Sequence, residues 1–234
     1  DMRKSTIIGL LLLAFCIACR LFAPVADFYA EHLYPFIQRV LSRISSVVSF
    51  SLEEIVVLCF AAVFIGIIVK AIKGRKGFLY WLRKTAVAAL WLYVWFYMGW
   101  GNNYYRTGLY ERNGIERVHF EEAAFKDFLG KYAQQLNASA EAAGSYGDTE
   151  VLERDIQDFY CARAVPFGYA PLRRWQHPKL PILNRLYSAV LVQGYMGPFF
   201  CESQVNCDLL EYEYPYTVAH EMGHLAGVTS EAEA

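Results

Sequence analysis

The chain has 234 residues, enough for one or two domains, and 56% of them are hydrophobic, which is high for a soluble protein. Its 22 Lys and Arg nearly balance 23 Asp and Glu, leaving a net charge of −1. With no basic stripe along the sequence, that balance argues against nucleic acid as a partner.

The apolar residues gather in three runs, at 7–22, 55–69 and 86–100. Each is a little short of the roughly 20 residues that cross a bilayer, and each extends through flanking Ala, Tyr or Trp into the interface. They predict an α-helical membrane domain over 1–100, with three transmembrane helices near 6–24, 54–72 and 85–100. The first run also has the basic start and the small residues Ala23 and Ala26 of a cleaved signal peptide. It continues past Arg20, which can snorkel, so an uncleaved anchor is the preferred reading. Arg3 and Lys4 precede the first run, and Lys70, Lys73, Arg75, Lys76, Arg83 and Lys84 crowd the link between the second and third. Basic loops stay in the cytoplasm, so residues 101–234 are expected outside it.

Between the first two runs, Phe28, Leu33, Phe36, Ile37, Val40, Leu41, Ile44 and Val47 recur mostly every three or four residues. That spacing predicts an amphipathic helix near 27–48, bent near Pro35, lying on the outer membrane surface or covering the outer domain. His32 within it reads as a surface histidine. Trp95, Tyr97, Trp100, Tyr104 and Tyr105 cluster where the third run ends, as an interfacial aromatic belt does.

Beyond that belt, 110–114 reads as a loop and 120–143 as a helix, with Phe120, Ala124, Phe128, Tyr132 and Leu136 at four-residue steps. A break at 144–148 precedes a helix capped by Thr149 and running to about Arg163. The Pro, Gly and aromatic density at 166–181 indicates an ordered loop. Arg173 and Arg174 there read as solvated or headgroup contacts before a carboxylate site, and His119 and His177 as structural residues. The mix of Val, aromatic, Gly and Pro at 186–206 suits strands joined by a turn. Cys16, Cys19 and Cys59 lie in apolar runs as small hydrophobes. In an oxidising compartment Cys201 and Cys207 can pair, which leaves Cys161 free, and the sequence does not decide between that and three free thiols.

Near the C-terminal end, His220-Glu221-Met222-Gly223-His224 lies between Pro215 and Gly227. Thr217 is the expected N-cap and Gly227 the expected C′ residue, so the two histidines fall on one helix. Residues four apart share a face, and both imidazoles reach one zinc ion at about 2.0–2.1 Å. Glu221, beside the metal, is then the general base toward a water whose pKa zinc lowers to about 7. This is the H-E-x-x-H arrangement of zinc metallopeptidases. A catalytic zinc takes a third protein ligand. Ser230 as N-cap and Glu233 as its capping-box partner leave Glu231 free to swing back toward the histidines. Glu231 is therefore the expected third ligand, with Glu233 the alternative.

His220-Glu221-x-x-His224 followed by Glu231-Ala232-Glu233-Ala234 resembles the zinc site of gluzincin-type membrane peptidases, in which a Glu of an E-x-x-A-[DN] segment is the third ligand. Together with Trp100-Gly101-Asn102-Asn103-Tyr104-Tyr105-Arg106 and the stretch at 194–206, the chain is similar over most of its length to an uncharacterised family of bacterial membrane proteins. That family, a domain of unknown function, is placed in the zincin-like peptidase clan. Two departures matter: the family continues into a further helical region where this chain stops, and the glycine three residues after His224 is a metzincin feature. Ser230 stands where a metzincin has its third His, which argues against that reading.

The resemblance implies a mainly α, α+β zincin-like metallopeptidase domain over 101–234, truncated at its C-terminus, in the bacterial inner membrane. It also implies a strand whose free edge pairs with a substrate backbone. Residues 198–206 are the expected edge, with Pro198, Phe199, Phe200, Cys201 and Glu202 as substrate contacts. The expected partners are the lipid bilayer and a peptide or protein substrate. An intramembrane protease is disfavoured, because Asp208, Glu211, Glu213 and Pro215 precede the motif closely. The alternatives are a membrane protein whose metal only braces the fold, acting as sensor or assembly factor, and a chance motif with no metal.

Overall fold

The apolar runs fold as long helices with shorter ones between them. In chain order these are α1 (Met2–Leu21), α2 (Ala23–Phe28), a π-helical turn at Tyr29–Leu33, α3 (Tyr34–Ser45), α4 (Leu52–Lys73) and α5 (Phe78–Gly99). The computed structural model describes residues 2–74, 76–116, 118–142 and 147–234. Asp1, Arg75, the side chain of Arg3 and most of the expected break at 144–148 lie outside the described residues.

Among the described residues two helices are long and apolar enough to cross a membrane, over Lys4–Leu21 and Leu52–Lys73. α5 equals α4 in length, at 22 residues, but Arg83, Lys84 and its Tyr and Trp side chains lower its hydropathy and it is not of that class. It starts at Phe78, earlier than the apolar run, because no helix breaker follows Gly77. It packs against both α1 and α4, with the Trp91 indole donating to Ser5 Oγ at 3.1 Å.

The segment expected as an amphipathic helix is helical, and Pro35 falls in the first turn of α3, where its missing N–H removes no bond. Its faces have separate tasks. The polar side, with Gln38, Ser42 and Ser45, is buried against the rest of the molecule, and Phe36, Val40 and Ile44 point outward.

After α5 come a 3₁₀ turn at Gly101–Tyr105, α6 (Leu109–Arg112), α7 (Glu122–Ala142), α8 (Thr149–Phe167), α9 (Asn184–Ala189), β1 (Gly194–Gly197), β2 (Glu202–Val205) and α10 (Tyr214–Leu225). α6 replaces part of the loop expected at 110–114. Asp148 caps α8 in place of Thr149, its carboxylate accepting the Glu150 N–H at 2.8 Å. α8 also runs past Arg163, tolerating Pro166 in its last turn before Gly168 turns left-handed at φ 65°. No residue of α7 is buried, so its apolar steps add nothing to the core.

β1 and β2 pair antiparallel from Gly194↔Val205 to Gly197↔Glu202. Lys179 bridges the other side of β2 in parallel. The buried cluster takes Tyr29, Tyr34 and Trp100 from the N-terminal half and Tyr160, Val205, Val218, Met222 and Leu225 from the C-terminal half. All six cysteines are free. Of the two states open for Cys201 and Cys207 the structure has the unpaired one: Cys201 is buried with its thiol toward the Gly99 carbonyl while Cys207 is exposed.

Candidate metal centre

α10 begins at Tyr214, with Pro215 in its first turn, where a missing N–H is harmless. Thr217, expected as the cap, is thus already inside the helix, its hydroxyl donating to the Glu213 carbonyl at 3.0 Å. The other end follows the sequence pattern. Gly227 adopts φ 100°, its N–H bonds the His224 carbonyl at 3.0 Å and the Val228 N–H bonds the Gly223 carbonyl at 3.1 Å. This pair of bonds is a Schellman closure, and it needs the glycine for its left-handed residue. It folds residues 228–234 back over α10.

That return places the site. The Val228 carbonyl accepts a hydrogen bond from His224 Nδ1 at 2.8 Å. With its proton on Nδ1, His224 presents a bare lone pair at Nε2. His224 Nε2 lies 3.1 Å from His220 Nε2. The Glu231 carboxylate reaches both rings, at 3.1 Å from His220 Nε2 and 3.5 Å from His224 Nε2. Four tetrahedral ligands at 2.0–2.1 Å from zinc stand about 3.3 Å apart, so the three separations match those around one such ion.

Glu233, the alternative ligand, is directed elsewhere: its carboxylate accepts the Leu109 N–H at 3.4 Å. Glu233 and Ala234 donate their own N–H groups to the Ser230 carbonyl, both at 3.0 Å, and 231–233 forms a turn. The capping box is not formed because the Glu233 side chain is committed to the start of α6.

Glu221 is buried beside the donors, and one of its carboxylate oxygens has no hydrogen-bond partner among the described residues. Burial pushes its carboxyl up to about 8, and the charge of Glu231 adds to the effect. Space for it is made by a residue that the motif does not announce. A Cβ at Gly194 would stand 2.8 Å from Glu221 Cγ and 2.9 Å from its Oε1. Only the isolated glycine at a strand start, a mark of close backbone approach, hints at this in the sequence.

The helix bearing the motif is held from several sides. Tyr34 and Gln38 donate to the Leu225 carbonyl at 2.6 and 2.9 Å, the Trp100 indole to the His224 carbonyl at 2.8 Å, and Tyr160 to the Ala219 carbonyl at 2.9 Å. A cleft of about 620 Å³ opens over the donors, walled by Trp100, Tyr104 and Tyr216 and floored by β1. Among the described residues the outer edge of β1 pairs with nothing, and Gly194, Tyr195 and Met196 line the cleft.

The stretch expected to contact substrate lies one strand further on. Pro198 lines the cleft. Phe199 is buried, its ring 5.5 Å from that of Trp95, and Phe200 also stands against Trp95, at 5.8 Å. Cys201 is buried, and Glu202 is buried in an ion pair with Lys179 at 2.7 Å. Both edges of β2 are taken, since Lys179 exchanges backbone bonds with Ser203 and Val205 at 2.8 and 3.1 Å. The edge facing the cleft is therefore β1. His177 is paired with Glu153 at 2.8 Å and Arg174 with Asp158, both apart from the cleft.

A family model described as "Protein of unknown function (DUF3810)" matches residues 29–234, from the π-helical turn through His220, His224 and Glu231. The chain belongs to this family. No curated protein and no solved structure matches it.

Proposed function

We propose that this DUF3810 chain is a membrane-anchored, zinc-dependent metallopeptidase of zincin type, with its site on the extracytoplasmic side of a bacterial inner membrane. The observation that carries the reading is the convergence of His220, His224 and Glu231 within 4.8 Å of one another, with His224 fixed in the ligating tautomer. Three protein donors beneath an open cleft are the pattern of a catalytic site, whereas a bracing zinc is closed by four.

Zinc bound there supplies Lewis-acid polarisation of a carbonyl and acidification of a coordinated water. Glu221, beside the donors, takes a proton from the attacking water and passes it to the departing amine nitrogen. The free edge of β1 holds an extended peptide by backbone hydrogen bonds, which requires no particular sequence. Gly194 keeps that edge close to Glu221.

The membrane placement rests on α1, α4 and α5, with α5 as a third span wedged between the others. Its 22 residues rise about 33 Å, enough for a hydrocarbon core of about 30 Å. Lys70, Lys73 and Lys76 flank the α4–α5 link, Arg83 and Lys84 lie in the first two turns of α5, and Trp100, which bonds α10, lies at the opposite end. Basic residues inside then put the cleft outside. The outward stripe of α3, with Phe36, Val40 and Ile44 exposed, suits the outer interface.

The test is the zinc content of detergent-purified protein, with His220→Ala and Glu221→Gln variants assayed on casein. The expected result is one zinc per chain, lost in His220→Ala and kept in Glu221→Gln while cleavage disappears. Zinc bound with cleavage indifferent to Glu221 points to a bracing metal, and absence of zinc sinks the site.

A further inference from the structure

From a strained and exposed leucine at the cleft we infer that Leu191 determines the specificity of this site, selecting peptides with a bulky apolar side chain a few residues from the cleaved bond. The inference deepens the peptidase reading above and rests on it. α9 ends in the same closure as α10: the Leu191 N–H bonds the Ser188 carbonyl at 3.2 Å, and the Val192 N–H bonds the Tyr187 carbonyl at 2.9 Å. That closure needs a left-handed residue, which Leu191 supplies at φ 60°. α6, α8 and α10 make the same pair of bonds around Gly114, Gly168 and Gly227. A Cβ makes this backbone costly, and glycine or asparagine adopts it more readily.

Packing does not account for the leucine. Cys201 is the other non-glycine residue with positive φ among the described residues, and it is buried in the hairpin turn. Leu191 is 88% exposed and lines the metal cleft. Strain that gains no buried contact is the kind stored at functional sites, and here it holds a branched apolar side chain open to a ligand.

The surroundings fix what that ligand offers. Gln193 donates to the Glu213 carboxylate at 3.4 Å, tying the segment after Leu191 to the start of α10. Tyr216, in the first turn of α10, also lines the cleft; it is 70% exposed and its ring stacks on His220 at 6.0 Å. Among the described residues no Lys, Arg or Asp lines the cleft. A charged substrate side chain would lose water there without gaining an opposite charge, whereas an apolar one gains by covering Leu191. Gly194 stands against Glu221, which puts the cleaved bond at its level on the β1 edge. Leu191 precedes Gly194 by three residues, at most about 10 Å of extended chain, the reach of about three substrate residues.

The test maps the bonds cut in unfolded casein by the detergent-purified parent, Leu191→Asn and Leu191→Gly, using mass spectrometry of the products. Melting temperature and zinc content are measured beside it. In the parent, one fixed position within about three residues of the cut is expected to be enriched about tenfold in Leu, Ile, Met and Phe over Asp, Glu and Lys. Both variants should keep zinc, melt no lower than the parent and still cut casein, but lose most of that enrichment. A parent without a preferred position, or variants that keep the preference, overturn the inference and leave the peptidase reading standing. Variants that melt several degrees lower also overturn it, because Leu191 is then a structural residue. If the zinc-loaded parent cuts no bond in casein, the peptidase reading fails and takes the inference with it.

Discussion

Glu202 offers a direct trial of the difference between a substrate contact and a buried clasp. Its carboxylate accepts the Leu52 and Glu53 N–H groups, both at 3.2 Å, at the start of α4. It also accepts Gln204 Nε2 at 2.8 Å and pairs with the Lys179 ammonium at 2.7 Å. Lys179 is itself buried and, among the described residues, has only the Ser45 and Phe50 carbonyls besides, at 2.6 and 3.2 Å. Glu202→Gln keeps the volume, removes the charge and turns an amide NH₂ toward donors. Breaking a buried ion pair from one side costs about 3–5 kcal/mol, because the other charge is left without compensation. For a chain of this size that is on the order of 10 °C in Tm. Tryptophan fluorescence of the detergent-purified protein during heating reads it, and Lys179→Met combined with Glu202→Gln should recover more than half of the loss. A Glu202→Gln variant that unfolds within about 2 °C of the parent would refute the clasp.

Three further outcomes are expected. Glu231→Ala should weaken zinc binding by more than about a hundredfold, beyond what loss of a supporting partner costs, whereas Glu233→Ala should retain zinc in a metal titration. Gly194→Ala, whose Cβ meets the Glu221 side chain, should keep zinc yet lose about a hundredfold in casein hydrolysis, the effect of a misplacement near 1 Å. Alkylation of the native protein followed by mass spectrometry should label exposed Cys207 and spare Cys201, whose thiol burial pushes well above its usual range; a Cys201–Cys207 disulfide would contradict the hairpin.

The legible parts of the site are those set by local chain geometry. The spacing of His220, Glu221 and His224, and the left-handed turn at Gly227, are helix periodicity and helix termination, both readable within a dozen residues. The choice between Glu231 and Glu233 is of another kind, because it turns on the Leu109 amide that Glu233 accepts, far away in sequence. Which strand has the free edge is hidden for the same reason. Nothing near 202–205 announces that Lys179 occupies the second side of β2. α3 shows the limit of periodicity: of its apolar stripe Ile37 and Leu41 pack against the core while Phe36, Val40 and Ile44 face outward, and full burial falls on Tyr34, Gln38, Ser42 and Ser45, where Gln38 finds the Leu225 carbonyl. Thr149 and Thr217 lost their capping roles to Asp148 and to a Pro-led first turn, alternatives that spacing alone does not rank.

Residue 100 divides the membrane-rich half of the sequence from the half bearing the motif, yet the packing crosses it freely. Tyr29, Tyr34 and Trp100 are buried in the cluster that holds Val218, Met222 and Leu225, and two of the three also bond carbonyls at the end of α10. Fragment 101–234 loses all three aromatic side chains, each worth roughly 3–5 kcal/mol when a core loses one. Their sum, on the order of 10 kcal/mol, equals the whole stability of an ordinary domain. The Leu225 carbonyl also loses both of its side-chain donors. Expressed alone, the fragment should be insoluble or should lack cooperative unfolding and stoichiometric zinc. The same residues expressed with 1–100 as a separate chain should recover both. A soluble fragment 101–234 that binds one zinc and melts cooperatively would show that α10 is positioned without α3 and α5, and would remove the physical link between the N-terminal helices and the site.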